Sequence, residues 1–159
     1  METQARLRTI LKAAWPWRRA HRLQVAALPY RTGTDGSIEI LLITSKGTRQ
    51  WIVPKGGLMD GLSPWEAAAQ EAYEEAGLRG AIETEEAGRF SHMKTRLVGK
   101  PLHYRVAVYR MAVKRELKRW PEQRLRERRW FTLDEAMAAV RSTELRTIIS
   151  RLELERAEG

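Results

Sequence analysis

The chain has 159 residues, 43% of them hydrophobic, which suits one domain with a true core. It contains no cysteine, so disulfides, thiolate catalysis and zinc sites built on sulfur are excluded. The net charge is +9, no run approaches transmembrane length, and Arg6, Arg8 and Lys12 interrupt any apolar signal core; a cytoplasmic location is therefore expected.

In chain order, residues 1–22 form a basic segment, with six Lys or Arg against one acid, and are set apart from a domain over 23–159. Strands are predicted over Leu23–Tyr30, Ile38–Thr44 and Trp51–Val53, the first two separated by a Thr-Gly-Thr-Asp-Gly turn. The third leads into a glycine loop at Gly56-Gly57. A helix then opens at Ser63-Pro64-Trp65-Glu66, where the serine and glutamate form a capping box and the proline takes the first helical position. Gly77 is placed to end it in the left-handed conformation. Ala81–Phe90 reads as one or two strands, Leu102–Val113 alternates as another, and Arg128–Thr132 is short and β-like. Thr132-Leu133-Asp134-Glu135 is a second capping box, and a last helix lines up Leu145, Ile148, Ile149 and Leu152. This order of elements gives a mixed α/β or α+β domain.

The first helix carries the chemistry. Glu71, Glu74 and Glu75 stand at i, i+3 and i+4, which places them on one helix face. Three like charges there repel, and a hard divalent cation held by carboxylate oxygens gives them a reason to cluster. Preceding glycines let the backbone approach a phosphate closely.

The stretch from Gly56 to Leu78 resembles the Nudix box, whose pattern is G-x5-E-x7-R-E-U-x-E-E-x-G-U with U a bulky apolar residue. Gly56, Glu71, Glu74, Glu75, Gly77 and Leu78 match, and Ala72 fills an apolar position with a small side chain. Leu62 replaces the first glutamate and Gln70 the arginine, which removes one acid and one base together. The resemblance covers roughly Leu23 to Leu152. It implies a mixed sheet sandwiched between helices, and hydrolysis of a phosphoanhydride with Mg2+ or Mn2+. It also implies metal-binding and catalytic roles for Glu71, Glu74 and Glu75, with Glu71 the candidate general base.

Ser45-Lys46 through Gly57, and Leu117 through Ala136 with its Trp120-Pro121-Glu122 and Trp130-Phe131, resemble the diphosphoinositol polyphosphate phosphohydrolase branch, which also cleaves diadenosine polyphosphates. From Ala87 to Arg115 no carboxylate occurs, while Lys and Arg are frequent, a distribution that suits a substrate with many phosphates. Expected substrate contacts are Lys46, Arg49, Lys55, Gly56, Gly57, Lys94, Arg96 and Arg128. His92 and His103 are expected in phosphate contact or ordinary packing, and the box alone is expected to carry the metal. An RNA 5′-end pyrophosphohydrolase or another nucleotide pyrophosphatase competes with this reading, as does a Nudix-fold binding or sensing module without turnover. The partner is expected to be a small-molecule substrate, with no membrane and with the chain as monomer or homodimer.

Overall fold

The computed structural model describes residues 22–157. Apart from Arg22, the basic N-terminal segment lies outside the described residues. Seven strands join in one mixed sheet: β1 (Arg22–Thr32), β2 (Ile38–Thr44), β3 (Trp51–Ile52), β4 (Lys55–Gly57), β5 (Leu78–Lys94), β6 (Leu102–Glu116) and β7 (Arg128–Thr132). Three helices flank it: α1 (Pro64–Ala76), α2 (Leu133–Ala139) and α3 (Thr143–Ala157).

β1 organises the sheet. One edge pairs in parallel with β6, from Arg22 opposite Tyr104 to Tyr30 opposite Ala112. The other edge is shared: its first half takes β4 and its end takes β2, both antiparallel. The segment read from sequence as a glycine loop is therefore a short strand, with Gly56 opposite Val25 and Gly57 opposite Gln24. β7 lies along the outer edge of β2. The region expected to hold one or two strands is a single strand of 17 residues, paired with β6 and bent by irregularities near Gly80 and between Ile82 and Gly88.

Alternation of side chains assigns each face its helices. Val25 and Ala27, Leu41 and Ile43, Ala107, Tyr109 and Met111 point to the α1 side. There Ala67, Ala68, Ala72 and Ala76 meet them, small enough to bring the helix axis close to the strands. Ala26 and Leu28, Ile40 and Leu42, Val106 and Val108 point the other way, onto Leu133 of α2 and Leu145, Ile148, Ile149 and Leu152 of α3. Being buried on both faces, these strands are continuous apolar runs. Each large side chain so buried contributes about 1.5–3 kcal/mol relative to exposure. The mixed sheet between helices matches the architecture read from the sequence.

Candidate active site

Helix α1 begins as its sequence dictates. The Ser63 hydroxyl accepts from the Glu66 N–H (3.3 Å), and Glu66 accepts from the Ser63 N–H (2.7 Å). It ends at Gly77, which holds the left-handed conformation (φ 66°) that a side chain would strain.

Past that point, the segment between β6 and β7 folds back over the helix terminus. The Glu74 carbonyl accepts from the Glu122 N–H (3.0 Å) and the Glu75 carbonyl from the Trp120 indole (3.2 Å). The Ala76 carbonyl accepts from Arg128 Nη1 (2.8 Å), and the Gly77 carbonyl from the Leu117 N–H (2.8 Å). The carbonyls that a helix leaves orphaned at its C-terminus are thus all matched. The Arg128 guanidinium, stacked 3.8 Å from the Trp120 ring centroid, supplies the favourable positive charge. Arg128 was expected on substrate; the structure turns it to these carbonyls instead.

The same segment delivers Arg126 to Glu75. Arg126 Nη2 donates to Glu75 Oε1 (2.7 Å), Nε to Glu122 Oε2 (2.8 Å) and Nη1 to the Thr44 carbonyl (3.1 Å). Glu75 Oε2 accepts from the Lys55 N–H (3.1 Å). Lys46 Nζ closes the chain of contacts at Glu122 Oε1 (2.6 Å). Burial pushes the Glu75 carboxyl up to about 7 despite the attraction of Arg126 and the bond from Lys55.

Glu71 is placed differently. Its carboxylate lies over the backbone of β4 at Gly56. A Cβ built on that glycine would stand 1.9 Å from Oε1, so only glycine admits the acid there. Among the described residues no hydrogen bond or ion pair reaches Glu71. Burial and the neighbouring Glu75, Glu74 and Glu122 push it up to about 7. Glu74 turns away to accept from the Gln70 amide (2.9 Å). Among the described residues, accordingly, no three His, Asp or Glu side chains form a ready metal set. Glu71 and Glu75 are the acids held in tension: half-buried or buried, close to one another, and of raised pKa.

Glu75 opens into a cleft of about 590 Å³. Lys46, Lys55, Lys94, Arg126 and Arg141 supply its cations, and Gln24, Ser45, Thr48, Gln50 and Thr95 its neutral polar groups. His92 and Tyr104, with ring centroids 6.4 Å apart, form its aromatic wall. Burial, with help from Lys55 and Lys94, lowers His92 to about 4, so the ring is neutral near pH 7. Burial likewise lowers Lys55, against the pull of Glu75.

Of the expected substrate contacts, Lys46, Lys55 and Lys94 line this cleft, whereas Gly56 and Gly57 lie outside its lining in β4, Gly56 beneath Glu71. Arg49, with φ 56°, bonds Glu127 (3.3 Å) and the Leu125 carbonyl (3.4 Å). Arg96 is exposed on the β5–β6 loop, away from the cleft lining. The acid-free stretch is less bare in the fold than in sequence, because Arg89, Arg105 and Arg110 pair with Glu86, Glu144 and Glu155. Arg126, Arg141, Gln24 and Glu122 were not among the expected site residues, although Glu122 and Arg126 lie in the Leu117–Ala136 stretch that carried the resemblance.

A family model described as NUDIX domain matches residues 20–152. Nudix hydrolase 18, mitochondrial, of Arabidopsis thaliana is 35% identical over 148 residues, covering 87% of this chain and 82% of its own. Diphosphoinositol polyphosphate phosphohydrolase 2 of Rattus norvegicus is 30% identical over 122 residues, covering 76% of this chain and 63% of its own. Among solved structures, an Ap4A hydrolase of C. elegans in a binary complex superposes with a TM-score of 0.64 at 21% identity, covering 87% of this chain and 99% of that one, which is a likeness of fold.

The relatives correct one expectation. Besides Nudix hydrolase 18, four further Arabidopsis relatives are mitochondrial by name, which points away from a cytoplasmic location. The lack of a long apolar run and the interrupted apolar core bear on membrane spanning and secretion, and do not distinguish the cytoplasm from an organelle. With the box helix, the glycine strand beneath it and the match over 20–152 in agreement, the chain belongs to the Nudix hydrolase family.

Proposed function

We propose that the chain is a divalent-metal-dependent hydrolase of phosphoanhydride bonds in small molecules bearing several phosphates, such as diphosphoinositol polyphosphates or diadenosine polyphosphates. The observation that carries this is the cleft: five cationic side chains line one polar cavity that ends at Glu75. A substrate with two phosphates needs few cations, whereas a crowded polyphosphate calls for several donors around it. The rat relative bears the name of the first substrate class and the worm structure that of the second.

The residues fit Mg2+ or Mn2+. Glu71 lies in a cradle over Gly56 that a Cβ would fill, beside a second raised carboxylate, and all donors are hard oxygens. Glu71 and Glu75 would hold the ion, with Glu74 joining on exchange of its bond to Gln70. When bound, it neutralises phosphate charge and lowers the pKa of a coordinated water. Lys55 and Lys94 hold phosphate oxygens in the cleft, and Lys46 does so on leaving Glu122. Glu71 would take the proton of the attacking water at a carboxylate oxygen. Neutral His92 and Tyr104 give the wall against which a ring stacks, which favours diadenosine polyphosphates as the second substrate class.

A panel of inositol pyrophosphates, diadenosine polyphosphates, nucleotide sugars and triphosphate-ended RNA, assayed with Mg2+, with Mn2+ and with chelator, tests the reading. Highest kcat/KM is expected on the first two classes, with loss in chelator. Preference for a nucleotide sugar or for RNA would reject the substrate class, and turnover unaffected by chelator would reject the metal.

A further inference from the structure

We propose that Arg126 is the positioning residue for the Glu75 carboxylate, supplied from the segment between β6 and β7 in a chain whose helix lacks arginine at position 70. This rests on the reading of Glu75 as a metal-holding residue.

The helix cannot do this work itself. Gln70 carries no charge, and its amide is engaged by Glu74, not Glu75. Leu62, at the position of the missing acid, is apolar and 41% exposed. The buried ion pair at the site is instead Arg126 with Glu75, the two side chains only 8% and 10% exposed. All three guanidinium nitrogens are engaged: one by Glu75, one by Glu122 and one by the Thr44 carbonyl. Arg126 therefore cannot swing without breaking three contacts, one of them to backbone in β2.

Its anchor is equally fixed. The segment that carries it is bonded to four consecutive carbonyls at the end of α1, from Glu74 to Gly77. Arg126 and the Lys55 N–H each occupy one oxygen of Glu75, which sets the plane of the carboxylate and leaves a lone pair on each oxygen for a cation. Groups that orient a metal-holding carboxylate in this way typically govern 10–100-fold in metal affinity or activity. Because Arg126 also lines the cleft, a direct phosphate clamp is the competing role. That role would appear in KM, whereas positioning appears in kcat and in metal affinity.

The test is Mn2+ binding to the full chain without substrate, by calorimetry or electron paramagnetic resonance, together with steady-state kinetics at saturating metal. Arg126→Met is expected to weaken Mn2+ binding by about 10–100-fold and to lower kcat, with substrate KM within about threefold of the parent. Arg126→Lys keeps the charge but loses the fork, and is expected to weaken Mn2+ binding by about tenfold. If the methionine variant fails to fold, the lysine variant carries the test. Mn2+ binding equal to or tighter than the parent's in a folded variant would overturn the proposal, as would a raised KM with kcat intact. A parent chain that binds no Mn2+ would overturn both the metal reading and the proposal. A parent that binds it beside variants that bind equally well would overturn the proposal alone.

Discussion

The two faces of the sheet are built from the same devices and used differently. A capping box opens α1 at Ser63 and another opens α2 at Thr132. On the α2–α3 face the helices bury Leu and Ile, and their acids stay outside, where Glu144 and Glu155 pair with arginines of the sheet. On the α1 face the helix buries alanines and carries two acids inward, Glu71 without a partner among the described residues and Glu75 held by one arginine. One face contributes stability. The other gives some of it up, because a desolvated carboxylate pair is costly until a cation joins it.

Substitutions should separate the faces. Glu75→Gln is expected to lower kcat by at least about a hundredfold, the upper end of what metal-supporting groups govern, without a loss of folding. Turnover near that of the parent would remove Glu75 from the catalytic set. Ile149→Ala, under α3, is expected to cost about 2–5 kcal/mol in denaturant unfolding while folded enzyme keeps its kcat. If kcat falls with stability preserved, the α3 face is not merely structural.

Glu71→Gln sharpens the contrast by sign. The Glu71 carboxyl is raised, so between the ordinary glutamate range and about pH 7 the folded chain holds a proton that the unfolded chain has released. Metal-free stability contributed by this group therefore falls as pH rises through that window. At pH 8 without metal, Glu71→Gln should gain about 1 kcal/mol, discounted for partial exposure, while activity is lost. A stability loss at pH 8 would mean that Glu71 makes a favourable contact in the folded chain.

Smaller effects are expected at the rim. Lys94→Gln should raise KM for a multi-phosphate substrate by about tenfold, the lower end of the worth of one charged hydrogen bond, whereas Arg96→Gln, outside the cleft lining, should change it little. Equal effects would show that both act only through the general field. Leu62→Glu, on an exposed position, should change stability by no more than about 0.5 kcal/mol. A larger loss, relieved by Gln70→Arg, would show that the two positions still communicate.

What was legible in the sequence is what helical geometry makes local. Ser63, Glu66, Glu71 and Gly77 lie within one helix or its caps, so spacing alone fixes their relation. The apolar runs of β1 and β2 and the alternation of β6 were legible as strands for the same reason. Arg126 was not, since it meets Glu75 across 51 positions and only tertiary folding brings it there. Arg128 looked like a substrate contact because charge in a sequence does not say which way it faces; stacking on Trp120 and the carbonyls at the end of α1 decide that. β4 was hidden because two glycines read as a loop, although the free edge of β1 makes them a strand.

The most direct measurement is anomalous diffraction from a crystal soaked in Mn2+, with and without Glu75→Gln. A peak is expected between the carboxylates of Glu71 and Glu75, beside Gly56, and its loss in the variant. A peak at the other acidic hollow, around Asp35, Asp134 and Glu153, with none at α1 in an active enzyme, would contradict the assignment of the catalytic centre.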